Sequence, residues 1–364
     1  MKEILENEIE PEDTSSGDIE QPFDPKKIDI TTKQMILEVF LRRLRRDEID
    51  MNTFFQRETD LWDATKQSRL IESILIKLPL PAFYFDGSDD NKWLVVDGLQ
   101  RLSVFKNYIV EKNFKLQDLE YLSDFNNKGF DDLPRELQRR IEEHEVTVYI
   151  INPGTPEDVK FNLFRRINTG GLVLTPQEIR NALNQGVPTA FIKELADLSS
   201  FKKFKINPKR ANDQDFVTRF VAFYIHPITE YRPDLETFLN KSMQRIKKLS
   251  ESERNELKKN FINAMDMAWK IFGNDAFRKR YRAEDYRKPI NKSLFEIWSV
   301  YLSRLDSSQC DRLVQKKKDV VNEFTNLNRD KEFERSITSG TGKSTMVIKR
   351  HQEINKLGAK ILNA

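Results

Sequence analysis

The sequence predicts an α+β fold, a small mixed domain followed by an all-helical one, and three observations carry that prediction. The strand-like runs "AFYF", "KWLVV" and "EVTVYII" all lie before residue 152. Past about residue 187 the chain keeps the apolar spacing of helices and shows no strand signal. Its 364 residues suit roughly two domains. Composition agrees: 38% hydrophobic, 33% charged and 25 Phe against 12 Gly describe a helix-rich globular chain rather than a fibrous or disordered one.

The elements come in order. Residues 1–24 hold nine acidic side chains and one basic, a net of −8, which leaves +11 for the remainder of a chain whose total is +3. With "EDTSSGD" and almost no apolar periodicity, residues 1–27 read as a disordered acidic arm. "TTKQMILEVFLRRLRR" (31–46) carries apolar residues at 36, 37, 40, 41 and 44, the spacing of one helical face. "FFQRETDLW" reads as extended and leads into a helix N-capped by Asp63. "LPLP" stops that helix before the strands "AFYF" and "KWLVV". A helix from Gly98 to about Val110, another with Pro134 in its first turn, and the strand 145–151 come next.

The helix "PEDVKFNLFRRIN" then runs into "TGGLVL", and Thr175, Pro176 and Glu178 start a further helix as a capping box with Pro at its first position. Four or five helical segments are expected after residue 187. The expected domains are therefore 28–186, mixed, and 187–364, helical.

One short stretch carries chemistry. In "VVDGLQRL" a strand ends at Asp97-Gly98 and a helix begins. Asp97 and Gln100 fit a capping box, which is reason enough for both. Arg101 is not explained that way, because a cation in a first helical turn opposes the helix dipole unless an anion meets it. A glycine turn whose backbone N–H groups converge beside an arginine suits a phosphate.

"FFQRETDLW", "KQSRLIESILIKLPLPAFYF", "VVDGLQRL" and "LFRRINTGGLVLTPQEIRNAL" occur in one order. The set closely resembles the amino-terminal domain of GmrSD-type restriction enzymes, a family marked by a DGQQR motif, over about residues 30–185. The resemblance implies a ParB/sulfiredoxin-like fold that binds a nucleoside triphosphate, with Mg2+, in restriction or phage-defence systems acting on modified DNA. It assigns Asp97, Gly98, Gln100 and Arg101 to the motif, with Leu99 standing where the family usually has its first glutamine. On that likeness Arg101 and the N–H groups near Gly98 and Leu99 hold phosphate, Gln100 orients a water or a phosphate, and Asp97 holds the turn or the metal. Gln56 and Arg57 match the upstream "FQR", where an arginine clamping the same anion competes with an ordinary surface ion pair. Asn168 falls near the metal-contacting asparagine of ParB, while "NTGG" also serves simply as a turn needing positive φ.

Other signals narrow the function. "SGTGKST" (339–345) lacks the first glycine of the phosphate-loop pattern, Ile337 standing in its place, and reads as a flexible loop. His144, His226 and His351 are far apart and in no metal-ligand spacing, so no HNH-type nuclease constellation is visible. The basic stretches 201–210 and 277–288 interleave Lys and Arg with Phe277, Tyr281 and Tyr286, a pattern that suits DNA as well as a solvated face. No apolar run approaches the ~18 residues of a membrane span, and no signal-peptide core opens the chain. The single cysteine, Cys310, excludes an internal disulfide and a cysteine-based zinc site.

The expectation is a cytoplasmic, nucleotide-binding module, with nucleoside triphosphatase activity left open by Leu99. Its partners would be the nucleotide, DNA through the helical domain, and a separate nuclease subunit, with no membrane. A non-catalytic sensor that recruits that nuclease and a nuclease in its own right are the alternatives.

Overall fold

The computed structural model describes residues 9–13, 24–51, 62–167, 174–282 and 284–364. They form two compact units, Phe23–Leu174, and Thr175–Ala364 together with Met1–Pro22. The fold is α+β in the first and helical in the second.

The mixed unit is built on five strands: β1 (Ile30–Ile36), β2 (Ile49–Asp50), β3 (Phe83–Asp86), β4 (Trp93–Asp97) and β5 (Glu145–Ile151), in the order β1-β5-β3-β4-β2. Its helices are α1 (Leu37–Arg45), α2 (Ala64–Leu75), α3 (Leu99–Phe105, prolonged by a π turn to Val110), α4 (Arg135–Glu142) and α5 (Glu157–Ile167). β3 runs antiparallel to β4 and parallel to β5. The inward ring cluster of Phe40, Phe83, Phe85 and Phe105, with centroids 5.5–6.2 Å apart, joins α1 and α3 to β3.

Residues 31–46 divide where one helix is expected. Ile30–Ile36 pairs antiparallel with β5 along its whole length, from Ile30 opposite Ile151 to Ile36 opposite Glu145. The helix keeps only Leu37–Arg45, whose Leu37, Phe40 and Leu41 are fully buried. Seven cross-strand partners outweigh the weak helical preference of "ITTKQMI", which holds three β-branched residues and a fourth at its end.

The helical unit opens with α6 (Pro176–Leu183), α7 (Val187–Ala196), α8 (Ser199–Lys202), α9 (Asn212–Ile225), α10 (Leu235–Lys248) and α11 (Glu251–Phe272). It closes with α12 (Lys292–Ser303), α13 (Ser307–Gln315), α14 (Lys317–Asn328), α15 (Lys331–Thr338) and α16 (Ser344–Asn363). Turn residues such as Pro227, Gly273 and Gly340 cut the expected four or five segments into more, shorter ones.

Two boundaries differ from the sequence expectation. α6, expected at the end of the mixed domain, belongs to the helical unit. Its fully buried Arg180 is ion-paired to Asp215 of α9 at 2.6 Å and to Glu236 of α10 at 2.5 Å. Residues 9–13 of the expected disordered arm are ordered, with Ile9 bridging to Ile290 and Glu10 N–H donating to the Ile290 carbonyl at 2.8 Å. The rest of that arm up to residue 23 lies outside the described residues. "SGTGKST" is pinned rather than flexible: Thr341 is fully buried and its carbonyl accepts from Arg350 at 2.7 Å.

Glu296 anchors the helical core. It is 0% exposed and accepts from Arg350 at 2.8 and 2.9 Å and from His351 Nε2 at 3.0 Å. Burial alone would raise its pKa, but Arg350 and His351 outweigh burial and hold it down at about 2, against an ordinary 4.5. A carboxylate depressed in the folded state contributes stability above its unfolded pKa and loses it as pH falls toward the folded one. The helical unit is therefore expected to lose about 3 kcal/mol from this group between about pH 5 and pH 2. Urea titrations across that range check it, and Glu296→Gln should flatten the dependence while lowering stability at neutral pH.

Candidate functional site

β4 delivers the motif to its place. The strand ends at Asp97, which lies opposite Tyr84, and the β3–β4 register shifts between Tyr84 and Phe85. Such a bulge twists the strand end and re-aims the residues that come after it. Gly98 then turns the chain with φ 101° and ψ 6°. A side chain there would be strained by that φ and would put its Cβ 2.4 Å from Phe83 Cδ1, so only glycine lets the turn close onto the sheet. Helix α3 starts at the next residue.

The anion that Arg101 requires is present within the motif. Its Nη2 donates to Asp97 Oδ2 at 2.9 Å and to the Ala82 carbonyl at 3.2 Å, and its Nη1 donates to the Pro81 carbonyl. The guanidinium lies 4.4 Å from the centre of the Phe83 ring. Arg101 is only 8% exposed, so the side chain braces the turn from beneath and ties it to the entry of β3. Burial pushes the Asp97 carboxyl above its ordinary range, against the opposing pull of Arg101 and of the Gly98 N–H. Burial likewise pulls Arg101 down against the Asp97 charge, though an arginine stays protonated.

The neighbours have their own tasks. Leu99 packs into the core at 7% exposure, so position 99 presents its backbone, not its side chain, at the turn. Gln100 Oε1 accepts from the Trp62 N–H at 3.0 Å and so fastens the motif to the start of α2. The crevice beside it, between Trp62, Gln67 and Asn107, has no room for a water-sized guest. Gln56, Arg57 and Asn168 lie outside the described residues. Asp97, Gly98, Leu99, Gln100 and Arg101 are therefore gathered at one strand–turn–helix, with Asp97 the partly exposed acid among them.

Tertiary packing revises the basic stretches. Phe277 is buried against Phe204 and Phe295, with centroids 4.9 and 4.8 Å away, and is not available to stack on a base. Tyr281 donates its hydroxyl to Glu334 at 2.8 Å. Of the three rings, Tyr286 is the one at the surface, 79% exposed. Several of the cations have acidic partners: Lys203 has Asp266 at 2.7 Å, Lys202 has Asp197 at 2.8 Å, and Arg280 has Asp275. Among the described residues no three His, Cys, Asp or Glu side chains are grouped to hold a metal ion.

Residues 41–185 match the family model of the GmrSD restriction endonuclease N-terminal domain. That stretch is similar to the GmrSD N-terminal domain. The matched span starts in α1, takes in the whole motif, and ends two residues past α6. No curated protein matches the chain. A solved Pnob8-like ParB-N domain is similar at 13% identity, covering 92% of this chain and 98% of that one, with a TM-score of 0.24. A likeness so slight carries no argument about fold or function. No helix of the described residues is long and apolar enough to cross a membrane.

The glycine and the arginine of the GmrSD motif are expected to dominate its stability. Gly98→Ala should cost about 1–3 kcal/mol through overpacking against Phe83, with backbone strain added. Arg101→Ala should cost roughly 3 kcal/mol, because it leaves Asp97 without its partner and frees two carbonyls. Urea midpoints measure both, and an unmoved midpoint for either would show that the brace is dispensable. Leu99→Gln, which restores the family's residue, should lower the melting temperature by burying an amide, a cost of about 1–3 kcal/mol.

Proposed function

We propose that this chain is the nucleotide-binding module of a restriction or phage-defence system, with the phosphates of a nucleoside triphosphate received at the β4–α3 turn. The observation that carries the proposal is the match of residues 41–185 to the GmrSD N-terminal domain, with its D-G-x-Q-R signature set on a strand, a left-handed glycine and a helix. In this reading the backbone N–H groups from Gly98 to Arg101 meet phosphate oxygens, and the braced guanidinium adds its charge from behind. Gln56 and Arg57 would close the site from the preceding segment, and Asn168 from the following one.

Mg2+ is bound typically through one or two carboxylates together with phosphates and waters. Asp97 offers one carboxylate, already engaged by Arg101, so the donor set fits an ion that arrives with the nucleotide better than one resident in the protein. When bound, that ion would neutralise phosphate charge.

One observation favours a sensor over a triphosphatase. The polar side chains of the motif are engaged structurally, Gln100 with Trp62 and Arg101 with Asp97 and two carbonyls. None of these stands in a position that calls for a water-orienting role. Binding of nucleotide would then set the state of the helical unit, which passes it to DNA or to a separate nuclease subunit.

Calorimetry and phosphate release with the four common triphosphates and Mg2+ test the proposal. Binding of at least one is expected, weakened about tenfold or more by Asp97→Asn. Binding without release would support the sensor, and release lost in Gln100→Ala would support the triphosphatase. Absence of binding by any of the four would remove the nucleotide from the reading.

A further inference from the structure

The helical unit holds a polar cavity of about 210 Å³ that the motif does not use. A single water needs only about 10–15 Å³ of such space, so the cavity has room for a short phosphate chain. The starts of α6 and α9 open onto it at Thr175 and Asn212, and Arg210, Arg219 and Lys292 line it. Arg210 sits at φ 62° and Ala211 at φ 55°, two consecutive left-handed residues that turn the chain at the cavity wall.

The charges around this cavity do not balance without help from far along the chain. Arg180, Arg210, Arg219 and Lys292 face three carboxylates of the same unit. Glu178 takes Arg210 at 2.8 Å, Glu236 takes Arg180 at 2.5 Å, and Asp215 takes Arg180 at 2.6 Å and Lys292 at 2.7 Å while lying 3.8 Å from Arg219 Nε. Glu296, 3.7 Å from Arg219, already serves Arg350. The fourth carboxylate is Glu12, from the acidic arm, which accepts both terminal nitrogens of Arg219. Arg219 is 1% exposed, and its Nε still has no hydrogen-bond partner.

The arm's next residue is held in the same manner. Glu12 Oε1 also accepts from the Thr341 hydroxyl at 2.9 Å, while Asp13 Oδ2 accepts from the Ser339 hydroxyl at 3.0 Å and the Gly340 N–H at 3.1 Å. These donors belong to "SGTGKST", the stretch whose composition suggested phosphate and whose spacing did not. A bidentate arginine, two hydroxyls and a glycine N–H form a donor set suited to phosphate oxygens as well as to carboxylates.

We propose that this cavity is a second, phosphate-binding site in the helical unit, and that Glu12 of the acidic arm, kept in place by the hold of residues 339–341 on Asp13, occupies its oxygen positions until a phosphorylated ligand displaces the arm. The arm is thus a built-in competitor. The site belongs to the helical unit and stands or falls independently of the β4–α3 turn.

The test uses the full chain, calorimetry, and two probes, inorganic pyrophosphate and ATP without metal. The double variant E12Q/D13N should bind pyrophosphate about tenfold or more tightly than the unaltered chain, and R210Q added to it should abolish the gain. The gain is the difference between the two proteins, so binding at the β4–α3 turn, common to both, does not enter it. ATP equal to pyrophosphate would identify phosphate alone as the ligand, and ATP tighter by tenfold would identify a nucleotide; either supports the site. Equal affinity of the double variant and the unaltered chain, a gain that survives R210Q, or no binding of either probe would overturn it. A second measurement on the unaltered chain is independent of any effect of substitution on folding. Saturating pyrophosphate should speed proteolysis within residues 1–23, and an unchanged cleavage rate would overturn the displacement.

Discussion

A guanidinium taken out of water has to be met by anions or carbonyls, and several of them impose that demand on this chain. Arg101, Arg180, Arg219 and Arg350 are each less than 10% exposed. Desolvating such a charge costs several kcal/mol, and only well-aligned partners offset it. Each arginine therefore fastens elements distant in sequence. Arg101 holds the motif to the chain before β3, and Arg180 draws α6 onto α9 and α10. Arg350 joins α16 to α12 through Glu296, and Arg219 brings a piece of the N-terminal arm onto α9.

The same demand shapes the motif. Asp97 and Arg101 answer each other's charge, so the D-G-x-Q-R signature is first a self-contained brace for a strand–turn–helix. In the proposed nucleotide site, such a brace would offer backbone N–H groups rather than loose side chains, and a rigid row of donors loses little entropy when an anion binds. Glu12 and Asp13 apply the principle in reverse, bringing carboxylates from a distant arm to donors on α9 and on the loop before α16.

Much of this was legible in the sequence because it is local. Thr175 and Glu178 form the capping box, with Thr175 N donating to Glu178 Oε2 at 2.7 Å, and Asp63 caps α2 through the Lys66 N–H at 2.8 Å. β5 spans the expected 145–151, and the Gly98 turn stands where the strand-to-helix change requires it. Other parts were hidden because their causes are not local. β1 is a strand only because β5 pairs with all of it, and Phe277 reads as a stacking aromatic until Phe204 and Phe295 enclose it. The fixed place of Glu12 depends on an arginine 207 residues later.

By itself, the sequence determined the class of fold, the order of most elements and the location of the motif, since helix caps, glycine turns and apolar periodicity act over a few residues. The tertiary structure alone decided which anion meets Arg101, that Leu99 turns inward, that α6 joins the helical unit, and that Glu12 meets Arg219. Those outcomes turn on which charges and rings leave water together. That is a property of the folded neighbourhood and not of any short stretch of chain.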